Sequence, residues 1–243
     1  MSRAIMIASG KGGTGKSTIC INLGLSLAFK GNKVVLLDLN TGLSSLDILM
    51  SLENFALWNI LDVVKENCSL DRALLECEFC PNLVLLPGTQ TLDPKELDEE
   101  NFSRLIEALR KDHDYILIDC PPGIGKMIEL CANSVDEAII VTNANNSALR
   151  DADALEDKLL RMGLYNRSYI INSLNYDLIQ IGIELKLEDI DERMRCTLIG
   201  IIPEDNNIRA STNTGVPIVC KRDSYISDNF DKIAYRLDTM GDD

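Results

Sequence analysis

The sequence predicts an α/β fold, in which a mostly parallel, twisted sheet is covered by helices on both faces. Its short apolar runs are continuous instead of alternating, as in strands that are buried on both sides. Segments with helical spacing separate these runs, as they must when neighbouring strands are parallel. The 243 residues are 46% hydrophobic and contain no internal repeat, low-complexity tract or long linker. We therefore expect one domain over residues 1–243.

The predicted strands are short apolar runs that end at turn residues or at an aspartate. Residues 3–8 lead into a glycine-rich turn, and the runs at 34–38 and 115–119 end in aspartate. Proline follows directly after two further runs. In chain order, the predicted strands are 3–8, 34–38, 83–87, 115–119, 138–142, 168–172 and 197–202.

The predicted helices lie between these strands and are recognised by amphipathic spacing and end signals. Gly31 closes the first helix, because glycine readily adopts the left-handed conformation found at helix ends. Pro121, Pro122 and Gly123 interrupt the chain after the fourth strand. The predicted helices are 16–30, 46–51, 57–66, 70–76, 94–111, 147–162 and 227–239.

The charge balance argues against one class of function, the binding of nucleic acid over the whole surface. With 24 Lys and Arg against 38 Asp and Glu, the net charge is −14. A protein whose whole surface binds nucleic acid needs clustered basic residues, so we consider nucleic acid an unlikely partner. The eight cysteines are scattered and no signal peptide or membrane-spanning run is visible, which predicts reduced thiols in the cytoplasm.

A phosphate-binding motif follows the first strand and opens the first helix. It fits the pattern G-x-x-x-x-G-K-S/T of the P-loop, whose glycines let backbone N–H groups point at an anion. The helix N-terminus adds positive potential at the same place. Lysine in this motif reaches the β- and γ-phosphates, and the serine hydroxyl binds Mg²⁺. The motif consists of Gly10, Lys11, Gly12, Gly13, Thr14, Gly15, Lys16 and Ser17.

Two carboxylates are placed to complete a magnesium site. Asp38 and Asp119 each end a predicted parallel strand, and ligands bind at the carboxyl ends of strands in open α/β sheets. Asp119 follows four apolar residues, which is the Walker B arrangement. We therefore predict that Ser17, Asp38 and Asp119 hold the metal.

The second lysine of the loop connects the sequence to a known family. Lys11 to Lys16 resemble the deviant Walker A signature of the MinD/ParA superfamily of ATPases. Further segments are similar to the MinD family within it, and the resemblance extends from residue 2 to about residue 237. These segments are 40–47, 52–54, 61–64, 86–91, 118–124, 136–140, 149–153, 202–205 and 210–217.

The resemblance implies a bacterial ATPase that places the division septum. Such a protein binds ATP and Mg²⁺ and forms an ATP-dependent homodimer at the inner face of the cell membrane. It recruits a division inhibitor, and an activator releases it by stimulating hydrolysis. The implied partner surface includes the helix near Arg150, Asp151 and Asp153.

The resemblance also implies individual roles in the site. Lys11 would act in trans on the partner's phosphates, Lys16 in cis, and Asp38 would lie near the attacking water. Beyond the loop itself, the residues implied to hold the nucleotide are Thr18, Asn172, Pro203, Glu204 and Asp205.

Departures from the family pattern leave other functions open. Asn40 stands where the family usually has aspartate, and an amide cannot accept a proton as a carboxylate does. We therefore hypothesise slow intrinsic hydrolysis. Asn145, Asn146 and Ser173 also differ from the usual residues. The alternatives are a DNA-segregation ATPase of the ParA type and a nucleotide-locked binding scaffold with negligible turnover.

The last residues carry acidic charge where the family usually has a basic membrane helix. Residues 221–243 contain four basic and six acidic side chains, which give a net charge of −2. A helix that lies on a bilayer needs a basic polar face, and no basic amphipathic helix is seen in this segment. We expect its apolar stripe to pack on the core; the stripe is Phe230, Ile233, Ala234 and Leu237.

Overall fold

The computed structural model describes residues 2–40, 46–89, 96–221 and 223–239. Its strands are β1 (Arg3–Ala8), β2 (Val34–Asp38), β3 (Leu75–Glu76), β4 (Leu83–Leu86), β5 (Tyr115–Asp119), β6 (Glu137–Thr142), β7 (Arg167–Leu174) and β8 (Thr197–Pro203). They form one sheet in the order β3-β4-β2-β5-β1-β6-β7-β8. Only the β3–β4 pair is antiparallel, within the residues described. The predicted α/β class with a mostly parallel sheet is confirmed.

Helices connect the strands and cover the sheet. They are α1 (Lys16–Phe29), α2 (Leu46–Leu49), α3 (Ile60–Val64), α4 (Leu70–Ala73), α5 (Glu99–Arg110), α6 (Lys126–Ala132), α7 (Asn146–Arg161), α8 (Tyr176–Gln180), α9 (Leu187–Arg193), α10 (Asn206–Thr214) and α11 (Tyr225–Thr239). Apart from a short 3-10 turn at Ile218–Cys220, these are the helical elements of the described residues.

The core lies in two layers, one on each face of the sheet. Continuous apolar strands make this possible, because side chains on both faces of β1, β2 and β5 are buried. The apolar stripe of α11 lies in one layer, with Phe230, Ile233, Ala234 and Leu237 at most 1% exposed. The prediction that this stripe packs on the core is therefore confirmed.

The helices predicted between β2 and β5 were longer than those of the structure. The predicted helix 46–51 ends at Leu49, and Ser51 has a positive φ of 56° that an α-helix cannot contain. The predicted helix 57–66 begins only at Ile60, because the side chain of Asn59 caps the helix N-terminus. The predicted helix 94–111 starts at Glu99 for the same reason, with Asp98 as the cap. Residues 94 and 95 lie outside the described residues.

The prediction for residues 70–76 was wrong at its C-terminal end. The helix stops at Ala73, and Leu75–Glu76 pairs antiparallel with β4 as β3. Tertiary pairing with β4 supplies backbone hydrogen bonds that local propensity does not report. Four short or polar helices, α6, α8, α9 and α10, were not predicted at all. Among the described residues, no helix has the length and hydropathy needed to cross a bilayer.

Candidate nucleotide-binding site

The loop between β1 and α1 has the backbone conformation that its glycines allow. Gly13 and Gly15 have φ angles of 79° and 87°, a left-handed region that costs other L-residues about 1–2 kcal/mol. Helix α1 begins at Lys16, immediately after Gly15, and its first free N–H groups are directed toward the loop. The sequence motif therefore forms a turn and a helix N-terminus at one place, which is the geometry that binds phosphate.

Neighbouring elements hold this loop closely. A Cβ atom on Gly10 would lie 2.0 Å from the carbonyl oxygen of Asp151 in α7. A Cβ on Gly15 would lie 2.1 Å from Nδ2 of Asn172 in β7, and that amide donates to the carbonyl of Thr14 at 2.7 Å. By contrast, nothing lies within 4 Å of a Cβ on Gly13. The loop is therefore packed against α7 and β7 at Gly10 and Gly15 and is open at Gly13, which leaves space for a phosphate.

Ser17 and Asp119 meet beside the loop. Ser17 Oγ donates to Asp119 Oδ2 at 2.5 Å, although the two residues are 102 positions apart. Asp119 is fully buried, and its Oδ1 accepts no hydrogen bond from the described residues. A buried carboxylate oxygen without a donor, next to a hydroxyl, is the donor set that Mg²⁺ prefers. These two residues therefore fit a magnesium ion.

Asp38 lies next to Asp119 but has different partners. The two aspartates are paired in register at the ends of β2 and β5. Asp38 Oδ1 accepts the backbone N–H of Asn40 at 2.9 Å, and Oδ2 accepts that of Leu46 at 2.8 Å. Both carboxylate oxygens thus hold the two ends of the segment that follows β2.

The two carboxyl groups influence each other's ionisation. Burial raises the pKa of Asp38 to about 7, and the charge of Asp119 adds to this rise. Burial also raises the pKa of Asp119 to about 6, while the positive charge of Lys16 and the hydrogen bond from Ser17 act in the opposite direction. Because burial disfavours the charged forms, a nearby cation would stabilise them.

The two lysines of the loop have contrasting environments. Lys16 is 5% exposed and its charge acts on Asp119. Lys11 is exposed, and its Nζ lies 3.5 Å from Ser147 Oγ in the first turn of α7. Lys16 is therefore directed into its own site, whereas Lys11 is at the surface and accessible to another chain.

Of the residues expected near the base, Asn172 contacts the loop, and Pro203, Glu204 and Asp205 lie at the end of β8 and just after it. Asn172 is 8% exposed and contacts the loop through Thr14. Pro203 pairs with Leu174 at the end of β8, and the N–H of Glu204 donates to the carbonyl of Leu174 at 2.8 Å. The side chains of Glu204 and Asp205 are engaged with neighbours, since Arg209 binds Glu204 and Asp205 caps α10. Thr18, the remaining candidate, is half-buried on α1.

Sequence reasoning missed the local role of Asp38 and the contact made by Asn40. The amide Nδ2 of Asn40 donates to Ser17 Oγ at 3.4 Å. The signal for the first was present, because an aspartate followed by a short polar segment commonly accepts backbone N–H groups. The described ranges contain no group of three or more His, Cys, Asp or Glu side chains that could hold a metal.

Comparison with known proteins agrees with this geometry. A protein-family model described as an AAA domain matches residues 2–170. The septum site-determining protein MinD of Synechocystis sp. is 40% identical over 239 residues, which cover 98% of this chain and 90% of that protein. The chain belongs to the MinD family. This family determines the site of the division septum, and the ParA alternative has less support.

Solved structures of MinD proteins share the fold over almost the whole chain. A chain of the MinC:MinD cell division protein complex of Aquifex aeolicus has a TM-score of 0.91 and 36% identity, with 99% of this chain and 96% of that chain covered. MinD of Pyrococcus horikoshii, solved with Mg-ADP, has a TM-score of 0.86 and 30% identity, with coverage of 99% and 98%. MinD and ParA proteins are ATPases, so membership also predicts ATP hydrolysis in general terms.

Proposed function

We propose that this chain is an ATP-dependent dimerisation switch that places the division septum. The main support for this proposal is the hydrogen-bonded pair of Ser17 and Asp119, which lies beside an open glycine loop. One buried carboxylate oxygen of Asp119 accepts no hydrogen bond from the described residues and is available to a metal ion. This arrangement supports phosphate binding and magnesium binding at neighbouring positions, at the ends of β1 and β5. Membership in the MinD family supports the same function.

In this proposal each residue of the site has one task. The loop, from Gly10 to Ser17 and on to Thr18, binds the phosphates, and Lys16 neutralises their charge. Ser17 and Asp119, with Asp38 beside them, would hold magnesium, and the ion would supply further positive charge to the phosphates. Asn172 and the turn Pro203–Asp205 hold the adenine of ATP. Lys11 is exposed and reaches the phosphates of a second copy.

We propose the family's partners for the surface of α7. The Aquifex aeolicus structure contains MinC with MinD, and this supports a division-inhibitor partner for our chain. Gly10 packs directly on the backbone of Asp151, so a change in the loop can reach α7. Arg150 and Asp153 lie near this contact on the same helix. We place the protein in the cytoplasm, with peripheral association at the inner face of the cell membrane and an activator that stimulates hydrolysis.

Slow turnover is a further part of the proposal. Asn40 occupies the position next to Ser17 and has no carboxylate to orient or deprotonate water. We therefore expect the Asn40→Asp variant to hydrolyse ATP faster than the wild type in a phosphate-release assay. An unchanged or lower rate would remove this explanation and favour the alternative of a nucleotide-locked scaffold.

Nucleotide binding itself is tested with two lysine variants. Lys16→Ala removes the buried loop charge and should abolish binding of a fluorescent ATP analogue, whereas Lys33→Ala, at the opposite end of β2, should bind as the wild type does. Binding retained by Lys16→Ala would refute the proposed site. A salt-sensitive shift of DNA by the wild type would instead support the ParA alternative.

A further inference from the structure

The Asn40 side chain joins the candidate magnesium pair to the segment that follows β2. Its amide Nδ2 donates to Ser17 Oγ at 3.4 Å, and its backbone N–H donates to Asp38 Oδ1 at 2.9 Å. Asn40 is half-buried and lies two residues beyond the end of the strand. One residue therefore contacts both the metal-binding hydroxyl and the neighbouring carboxylate.

Asn40 and a metal ion would share the oxygen of the Ser17 hydroxyl. A serine hydroxyl has one proton and two lone pairs. The proton is donated to Asp119 Oδ2 at 2.5 Å, so the lone pairs face other partners. A magnesium ion bound to Ser17 would take one lone pair, and the Asn40 amide occupies the other, so the two partners would lie close together on one oxygen. The charge of the ion also repels the positive end of the amide N–H, so the two partners disfavour each other.

Asp38 links Asn40 to the start of α2. Its two oxygens accept the backbone N–H groups of Asn40 and Leu46, at 2.9 and 2.8 Å. Leu46 is fully buried and is the first residue of α2. Because one carboxylate accepts both N–H groups, a displacement of Asn40 that turns the carboxylate would also alter the hydrogen bond at Leu46.

We propose that Asn40 is a positioning residue that competes with magnesium for Ser17 and, through Asp38, conveys the binding of the ion to Leu46. The inference rests on the proposed nucleotide function and adds a regulatory contact to the same site. Aspartate at this position would have the same shape but no amide proton, so it could not compete in this way. Asparagine at this position thus gives the chain a weaker response to magnesium.

Magnesium coupling of ADP binding tests the competition without any hydrolysis. The dissociation constant of a fluorescent ADP analogue is measured in EDTA and in excess Mg²⁺, and the ratio of the two constants is the coupling. We expect Asn40→Ala to increase the coupling about threefold, the value of one modest hydrogen bond, and Asn40→Asp to increase it further because it adds a charge. Asn54→Ala, an exposed asparagine of the same region, should have the coupling of the wild type.

Hydrogen–deuterium exchange tests the link to Leu46. In the wild type, we expect Mg²⁺ added to the ADP complex to speed exchange of the peptide that contains Leu46. In Asn40→Ala the same peptide should already exchange quickly in EDTA, while circular dichroism confirms an intact fold.

The outcomes separate this inference from the function on which it rests. Unchanged or reduced coupling in both Asn40 variants, with normal ADP binding in EDTA, overturns the competition alone. Exchange at Leu46 that does not respond to Mg²⁺ or to Asn40→Ala overturns the link through Asp38. If the wild type binds no ADP with or without Mg²⁺, the proposed function fails together with the inference.

Discussion

Two neighbouring strands, β2 and β5, both end in aspartate at paired positions, yet the two carboxylates have different hydrogen-bond partners. Asp119 is the last residue of β5 and contacts Ser17, and one of its oxygens has no donor among the described residues. Asp38 is the last residue of β2 and has both oxygens occupied by backbone N–H groups. The position of each aspartate at the carboxyl end of its strand therefore brings a carboxylate to the site. The residues after the strand determine whether that carboxylate is available to a ligand.

Of the substitutions considered, Asp119→Asn should have the largest effect, and that effect is on the magnesium-dependent part of ADP binding. The substitution removes the charge beside Ser17, and hydrogen bonds or ligands that involve a charged group contribute about 1.5–3 kcal/mol. We expect the magnesium-dependent part of ADP binding to weaken about 10- to 100-fold in a titration with Mg²⁺. The matched control is Asp38→Asn, which should weaken it less. Equal losses in the two variants would show that both aspartates bind the ion and would remove the contrast between them.

The turns beside the two strand ends should also respond differently to alanine. A Cβ on Gly88 would lie 2.5 Å from the carbonyl oxygen of Asp38, so Gly88→Ala forces β2 and β4 apart. We expect it to lower the free energy of unfolding by about 2 kcal/mol in urea titration. Gly123, beyond β5, has open space but a φ of 96°, so Gly123→Ala should cost about 1 kcal/mol. A reversed order would contradict the close packing at Asp38.

The smallest effect should be a loss of local stability in the segment after β2 when Asp38 is replaced by asparagine. An amide has one acceptor oxygen in place of two, so one of the N–H groups of Asn40 and Leu46 loses its partner. The loss of about 1 kcal/mol of local stability should speed exchange at the Leu46 amide about fivefold. Exchange at Ile118 in the middle of the sheet is the internal control and should not change. Unaltered exchange at Leu46 would mean that Asp38 does not hold the segment.

The sequence was sufficient for features that depend on local pattern. Alternation of apolar runs with helices predicted the sheet, the P-loop motif predicted the turn at Gly13 and Gly15, and the stripe of α11 predicted its buried face. Each element and motif is recognised within a short stretch of residues, and the order of the elements along the chain then predicts the sheet.

Features that depend on distant contacts could not be predicted in the same way. Strand β3 forms because Leu75 and Glu76 pair with β4, and α4 ends early as a result of that pairing. Asp38 and Asp119 look alike in sequence, since each ends an apolar strand. Only the folded segment after β2 shows that Leu46 returns to Asp38 and occupies its second oxygen.

The central claim is that ATP, and not ADP, joins two copies of this chain through their nucleotide sites. Size-exclusion chromatography with light scattering measures it directly on the wild type with ATP, with ADP and without nucleotide, beside Lys16→Ala and Lys11→Ala. We predict a dimer mass with ATP alone, and a monomer mass for both variants under all conditions. The same mass under all three conditions in the wild type, or an ATP-dependent dimer of Lys16→Ala, would contradict the account.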